Sequence, residues 1–126
     1  MHKFPKSERL SSKLIIEELF SKGQSFYIEP FKIIWLEYPL NFNLETQVLI
    51  AVSKRYIKKA VHRNKIKRRI KEAYRLQKYQ LLNALSNSGK QYVFALLYTS
   101  KQINDYHAIK NKILLILQRL EKEINI

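Results

Sequence analysis

The sequence predicts an α+β fold in which a small sheet packs against helices, formed as a single domain over residues 1–126. Three observations predict it. Hydrophobic residues make up 46% of the chain, with only two glycines and three prolines, which is typical of a folded domain. Segments in which apolar residues alternate are interspersed with segments of helical period. A length of 126 residues suits one moderate core better than two.

The first predicted element is a short helix. Ser11 or Ser12 can cap its N-terminus through a hydroxyl oxygen. Gly23 follows Lys22 at the position where a left-handed residue commonly ends a helix. Four apolar residues share one face of this helix: Ile15, Ile16, Leu19 and Phe20.

Two strands are expected next, because residues 24–38 are mostly aromatic or β-branched. Pro30 cannot donate to a ladder and therefore divides this stretch into strands over 25–28 and 31–37. A polar turn is predicted over 39–45. In the longer strand, alternation puts Phe31, Ile33 and Trp35 on one face and Lys32, Ile34 and Leu36 on the other.

A β-rich run over 46–53 predicts a central or nearly central strand, whose inward side chains are Val48, Ile50 and Val52. A long helix over about 56–79 is expected to follow. Its apolar residues fall in one sector and its polar residues in a sector turned well away from it. The apolar sector holds Ile66, Ile70, Ala73 and Tyr74, and the polar sector holds Asn64, Lys67, Arg68, Lys71, Arg75 and Lys78.

The remainder of the chain predicts a loop, a buried strand and a last helix. Serine, asparagine and glycine over 83–90 favour the loop, and the apolar run over 91–98 favours the strand. Asn104 or Asp105 can cap the last helix. The order is therefore helix, two or three strands, helix, strand, helix. The core stripe of the last helix is formed by Ile109, Ile113, Ile116, Leu117 and Leu120.

Positive charge is the outlying property of the composition. The chain has 24 Lys and Arg against 10 Asp and Glu, a formal net charge of +14. Residues 54–78 hold twelve of these cations and one acid, Glu72. Like charges on one helix face repel one another, so an outside polyanion is expected to offset the repulsion. Nucleic-acid phosphates do this and release counterions on binding. A surface that serves only solubility is the plainer alternative.

Several kinds of site are excluded or disfavoured. The absence of cysteine excludes disulfides, thiolate catalysis and cysteine-held metal sites. His2, His62 and His107 are too scattered to suggest a metal cluster, and the acids form no hydrolytic constellation. The longest apolar runs, 92–98 and 113–117, are too short to span a membrane. Because the N-terminus also lacks an apolar signal segment, a cytoplasmic location without membrane association is expected.

The basic segment and its flanks resemble the protein subunit family of bacterial ribonuclease P. The resemblance is carried by residues 51–55 (AVSKR), 58–60 (KKA) and 63–75 (RNKIKRRIKEAYR), and extends more weakly to most of the chain. It implies the order αβββαβα and a small mixed sheet packed with helices. The implied fold is ribosomal-protein-S5-domain-2-like, with an unusual left-handed crossover between parallel strands.

The resemblance also implies two RNA-binding regions. Taken alone, Asn64 could be an ordinary surface amide and His62 a solvated histidine. The region that binds the catalytic RNA is assigned thirteen residues: Lys54, Arg55, Lys58, Lys59, His62, Arg63, Asn64, Lys65, Lys67, Arg68, Arg69, Lys71 and Arg75. A cleft between the first helix and the sheet, which binds the single-stranded leader of precursor tRNA, is assigned Arg9, Ile16, Phe20, Phe26, Ile34 and Trp35.

Two residues depart from the family pattern. Lys65 stands where an arginine is usual, which keeps the charge but loses the planar fork that holds a phosphate bidentately. Ile16 stands where a phenylalanine is general, which keeps apolar contact but removes a stacking ring. For the large apolar residues of the leader cleft, Phe20, Phe26 and Trp35, core packing is the alternative role.

The function implied by the resemblance is assistance to ribonuclease P in removing the 5′ leader of precursor tRNA. The partners are then ribonuclease P RNA and precursor tRNA, with hydrolysis carried out by the RNA and its Mg²⁺. No cofactor, metal or small-molecule substrate is expected on the protein, which should be monomeric on its own. The alternatives are a general RNA-binding ribosomal or assembly protein, a DNA-binding helix and an intrinsic nuclease. The DNA-binding helix is disfavoured because no preceding helix pairs with it through a short turn.

Overall fold

The helices and strands follow the expected order with one addition. The computed structural model of the chain describes residues 4–40 and 44–124, so His2 and residues 41–43 of the predicted polar turn lie outside the described residues. A 3₁₀ turn at Lys6–Glu8 comes first, and the added helix is α3. The elements are α1 (Lys13–Lys22), β1 (Gln24–Ile28), β2 (Phe31–Glu37), β3 (Thr46–Val52), α2 (Ala60–Gln77), α3 (Tyr79–Ser88), β4 (Tyr92–Tyr98) and α4 (Tyr106–Ile124).

The four strands form one mixed sheet in the order β1-β2-β4-β3. β1 pairs antiparallel with β2, and β2 pairs antiparallel with β4. β3 and β4 are parallel neighbours, so the chain crosses from one to the other through α2 and α3. This is the connection for which the resemblance implies a left-handed sense. The α+β fold with a small mixed sheet is confirmed.

The prediction of a central position for β3 is wrong, because β3 lies at an edge of the sheet. Its sequence is typical of a central strand because both of its faces meet apolar neighbours, Val48 in one cluster and Leu49 in the other. The N-terminal segment also runs along its open edge. There the backbone N–H of Leu10 donates to the Val48 carbonyl at 2.9 Å.

The sheet separates two apolar clusters. Helices α2, α3 and α4 contribute to the larger cluster on one face, which includes Phe31, Ile33 and Trp35 of β2. Helix α1 covers a smaller cluster on the other face, where its Leu19 meets Ile34. The alternation predicted along β2 is therefore confirmed. The smaller cluster covers only part of its face of the sheet, and other parts of that face are exposed.

The helix predicted over 56–79 begins later than expected. Residues 54–56 form a turn after Ser53, whose carbonyl accepts from the backbone N–H groups of Tyr56 and Ile57, and residues 57–59 connect this turn to the helix. α2 begins at Ala60 and has no side-chain cap. The basic residues before Ala60 are therefore presented by a turn rather than by the helix.

The loop predicted over 83–90 is wrong, because α3 continues to Ser88. Leu81 and Leu85, one helical turn apart, are completely buried in the larger cluster and hold this polar segment on the core. Gly89 follows with a φ of 72°, the left-handed conformation that ends many helices.

Gly23, predicted to be left-handed, has an extended conformation instead, with φ −71° and ψ 154°. A Cβ at this position would lie 2.5 Å from the Leu19 carbonyl oxygen and 2.7 Å from Cγ2 of Ile34. Glycine is therefore needed here for close approach, since it lets the end of α1 lie against β2.

The predicted N-terminal caps are confirmed for two helices. The Ser12 hydroxyl accepts from the backbone N–H of Ile15 at 3.3 Å. The Asp105 carboxylate accepts from the backbone N–H of Ala108 at 2.9 Å. Each cap satisfies a donor that the helix itself leaves unpaired.

Candidate nucleic-acid interface

Helix α2 separates apolar and basic residues onto opposite sides. The apolar sector predicted from the sequence, Ile66, Ile70, Ala73 and Tyr74, is completely buried, and α2 packs against α4 and β3. The thirteen residues expected to bind the catalytic RNA lie on the other side or in the preceding turn, and we call them the α2 basic surface. Seven are exposed: Lys54, Arg55, Lys58, Lys59, Asn64, Lys65 and Arg68. Six are half-buried: His62, Arg63, Lys67, Arg69, Lys71 and Arg75.

Arg63 holds the turn that precedes α2. Its Nη1 donates to the carbonyl oxygen of Ile57 at 3.0 Å and to that of Lys58 at 2.7 Å. The Ser53 hydroxyl accepts from the backbone N–H of Arg55 at 3.0 Å in the same turn. Arg63 therefore fixes the backbone that presents its basic neighbours, a role that the sequence did not reveal.

Two further guanidinium groups of the surface are held by protein oxygens. Arg69 Nη1 donates to the carbonyl oxygen of Asn104 at 2.6 Å, which joins α2 to the segment before α4. Arg75 forms a two-pronged bond with Glu72, at 2.9 Å from Nε and 2.7 Å from Nη2. Hydrogen bonding from Arg75 lowers the pKa of Glu72, so this acid stays ionised. These bonds fix the orientation of the two guanidinium groups before any ligand binds.

Like-charge crowding is visible at Lys71. Burial lowers the pKa of its ammonium, and the positive charges of Arg9 and Lys67 lower it further. A nearby anion would relieve this repulsion. The crowding is therefore a property of a surface that suits a polyanion.

Lys78, predicted to lie in the polar sector of the helix, is buried instead, with 1% of its surface exposed. Its Nζ lies 2.6 Å from Oε2 of Glu8. The correction has a simple cause, since α2 ends at Gln77 and Lys78 sits at the junction with α3, facing the N-terminal segment. Lys78 is therefore a structural cation and not part of the α2 basic surface.

Two of the six residues expected at the leader cleft, Ile16 and Ile34, lie between α1 and the sheet. Ile34 is buried there, Ile16 is half-buried, and both belong to the smaller apolar cluster. Phe20, also on α1, is 49% exposed. A half-exposed ring can accept a stacked base.

Phe26 and Trp35 lie on the opposite face of the sheet, which corrects their assignment to the cleft. Both belong to the larger cluster and are only 8% exposed. The guanidinium carbon of Arg119 on α4 lies 4.9 Å from the centre of the Phe26 ring. Both residues therefore pack in the core, which is the alternative role predicted for them from the sequence.

Arg9 also lies apart from the α1 residues. Its backbone bridges to Val48 at the β3 edge, and its guanidinium carbon lies 5.3 Å from the centre of the Phe4 ring. It neighbours Lys71 of α2. The structure therefore brings Arg9 to the α2 basic surface.

Two residues that the sequence reasoning did not assign lie on the open part of the α1 side of the sheet. Tyr27 and Lys32 are directly paired across β1 and β2, and both are exposed. Lys32 shares its face of the sheet with Ile34, as the alternation along β2 predicts. That alternation was therefore enough to identify Lys32 as a residue of this face. We call Ile16, Phe20, Ile34, Tyr27 and Lys32 the α1–sheet face.

Among residues 4–40 and 44–124, no group of three or more His, Asp or Glu side chains is placed to hold a metal ion. None of the helices in this part of the chain is long and apolar enough to cross a membrane.

A family model described as Ribonuclease P matches residues 4–121. The chain belongs to the ribonuclease P protein family. It is 34% identical to the ribonuclease P protein component of Petrotoga mobilis over 124 residues, which cover 94% of this chain and 95% of that protein. It is 29% identical to the component of Porphyromonas gingivalis over 105 residues, or 83% of this chain and 77% of that one.

Solved structures of ribonuclease P proteins share the fold. The Staphylococcus aureus protein superimposes with a TM-score of 0.73 at 21% identity, over 92% of this chain and 97% of that chain. The Thermotoga maritima protein gives 0.66 at 23% identity, over 89% and 96%. As a member of the family, the chain is a component of the ribonuclease P holoenzyme, an endoribonuclease of tRNA processing that contains an RNA partner.

Proposed function

We propose that the α2 basic surface binds the catalytic RNA of ribonuclease P, and that the α1–sheet face contacts the 5′ leader of precursor tRNA. The observation that carries the proposal is the charge of residues 54–78, with twelve cations against one acid. All but the buried Lys78 belong to the surface just described. Such a concentration of one sign is costly for an isolated protein and favourable against phosphates.

The expected binding is mainly electrostatic. Each phosphate neutralised by a cation releases counterions, so affinity should fall with salt by a slope of about 0.7 to 0.9 per contact. Catalytic RNA and precursor tRNA are both polyanions that repel one another. Cations placed between the two RNAs reduce that repulsion. Backbone carbonyls already orient the side chains of Arg63 and Arg69, so these side chains do not have to be ordered on binding.

The leader contact is expected to be apolar and weaker. Phe20 is exposed on α1, and a base stacked on it would contribute about 1 to 3 kcal/mol. Lys32 can approach a leader phosphate from the sheet. Stacking tolerates every base, so this face would bind a leader with little sequence preference.

The chemistry of cleavage is assigned to the RNA. Residues 1–126 would act as one RNA-binding domain, monomeric on its own and located in the cytoplasm. Hydrolysis would use Mg²⁺ bound by the RNA, and no catalytic residue is assigned to the protein. The role of the protein is then to hold the two RNAs together.

The test is multiple-turnover cleavage of precursor tRNA by a bacterial ribonuclease P RNA at low Mg²⁺, with and without this protein. We expect a clear rise in cleavage at the mature 5′ end. Equal rates, with the protein shown to be folded by circular dichroism, would favour a general RNA-binding role. Cleavage by the protein alone would overturn the assignment of the chemistry to the RNA.

A further inference from the structure

The segment before α1 is fastened to the end of α2 by a buried ion pair. The side chains of Glu8 and Lys78, whose charged atoms are 2.6 Å apart, are 13% and 1% exposed. Three rings surround the ammonium, with centroids at 5.7 Å for Phe4, 5.9 Å for Tyr74 and 5.4 Å for Tyr79. An ion pair withdrawn from water in this way is costly to break, unlike a surface pair.

The same segment sets the position of Arg9, the residue after Glu8. Arg9 Nη2 donates to the Phe4 carbonyl at 3.3 Å, and its guanidinium lies over the Phe4 ring. On the far side of Arg9, Leu10 is bonded to Val48 of β3. Arg9 is therefore fixed on both sides, by the ion pair and by the sheet edge.

Arg9 and Lys71 meet at a small depression at the β3 edge. Phe4, Leu10 and three β3 residues line it together with these two cations, and among the residues that the structure describes no carboxylate lines it. The charge of Arg9 adds to burial in lowering the pKa of Lys71, so the two cations are close enough to repel. A phosphate is tetrahedral and has several acceptor oxygens, so one phosphate can accept from both.

We propose that Glu8 is a positioning residue, which through its buried bond to Lys78 holds Arg9 beside Lys71 so that the two cations bind one phosphate of the catalytic RNA. This rests on the proposed function of the α2 basic surface. It extends that surface onto the N-terminal segment, and it gives Arg9 a phosphate of the catalytic RNA as its ligand instead of the leader.

A double-mutant cycle between Glu8→Gln and Arg9→Ala tests the proposal, with the full chain titrated against a bacterial ribonuclease P RNA. Glu8→Gln keeps the size of the side chain and removes its charge. We expect it to weaken binding by roughly three- to tenfold in the wild-type background. In the Arg9→Ala background it should have no further effect, because the arginine that it positions is gone.

Stability and binding are separated by controls. Glu8→Gln removes the charge of a carboxylate that pairs with a buried ammonium, so it should lower stability. Ile116→Val, in the buried stripe of α4, should lower stability from a position outside this segment and leave affinity unchanged. Should Glu8→Gln fail to fold, Glu8→Gln with Lys78→Met removes both charges and takes its place in the cycle.

The positioning role is overturned if Glu8→Gln weakens binding equally with and without Arg9→Ala, or if Ile116→Val causes the same loss. Arg68→Ala, a variant of the α2 basic surface outside this segment, is titrated alongside, and unchanged affinity for the catalytic RNA in that variant would have a different meaning. It would overturn the proposed function of the α2 basic surface, and the positioning proposal with it.

Discussion

The two proposed RNA-binding regions are built from opposite kinds of side chain. The α2 basic surface consists almost wholly of cations, several of them fixed by protein oxygens, as Arg63 and Arg69 are. The α1–sheet face is largely apolar, with one exposed phenylalanine and one exposed lysine in Phe20 and Lys32. The first should give affinity that depends steeply on salt, and the second should give stacking that does not. The difference shows how one small protein can hold two RNAs by separable forces.

The largest expected effect separates two phenylalanines, Phe20 on α1 and Phe26 on the sheet face away from α1. Phe26→Ala should lower the free energy of unfolding by about 3 to 5 kcal/mol, because the ring is buried in the larger cluster. Phe20→Ala should cost less than about 1 kcal/mol, because its ring is half exposed. Urea denaturation of both variants measures this. A comparable loss in Phe20→Ala would make Phe20 a core residue and remove it from the leader face.

The next effect concerns charge on α2. Lys65→Ala with Arg68→Ala should weaken binding to the catalytic RNA by roughly 10- to 100-fold and reduce the salt slope by about 1.5. Both side chains are exposed and off the apolar face, so the fold should be unchanged. Lys101→Ala with Lys122→Ala removes the same charge from exposed positions outside the surface. If that pair weakens binding as much, net charge and not the surface is responsible.

A smaller effect is expected from Lys32, the cation of the α1–sheet face. Lys32→Ala should weaken binding of precursor tRNA to the assembled holoenzyme by roughly three- to fivefold, through the loss of one phosphate contact. Affinity for the catalytic RNA alone should be unchanged. Lys122→Ala serves as the matched control. A loss in catalytic-RNA binding would place Lys32 with the α2 basic surface instead.

The smallest effect is electrostatic and needs no RNA. Arg9→Ala should raise the pKa of Lys71, because it removes one of the two positive charges that lower it. Burial remains, so the pKa should stay below its ordinary value. An NMR titration of the Lys71 ammonium measures the shift, with the exposed Arg55→Ala as control. An unmoved pKa would mean that Arg9 does not approach Lys71 in solution.

Local periodicity was enough to predict much of the fold. The buried sector of α2 and the alternation along β2 follow from spacing alone, because each repeats over several turns or residues. Alternation also indicates that the residues assigned to the leader cleft could not all lie on one face of the sheet. Ile34 and Trp35 are consecutive in a strand and must point to opposite faces, so both could not line the same side. The family resemblance implied the leader cleft, but the geometry of the sheet determines which side chains can line it.

Other features depended on partners distant in the sequence. Lys78 is polar and near the end of a basic helix, and nothing local indicates that it is buried and paired with Glu8, 70 residues away. β3 contains the apolar residues of a central strand because both of its faces meet apolar neighbours from distant parts of the chain. Helix α3 replaces a predicted loop because Leu81 and Leu85 find a core to pack on. Each of these outcomes is a tertiary contact overriding a local preference.

The separation of the two regions is tested most directly by the leader dependence of binding in the holoenzyme. Precursor tRNAs with a long leader and with a single-nucleotide leader are titrated against holoenzyme that contains wild-type, Phe20→Ala or Arg68→Ala protein, at concentrations where the protein is fully bound to RNA. We expect Phe20→Ala to reduce the advantage of the long leader by about 1 to 3 kcal/mol, and Arg68→Ala to leave it unchanged. An advantage that is unaffected by Phe20→Ala, or reduced equally by both variants, would contradict the assignment of the leader to the α1–sheet face.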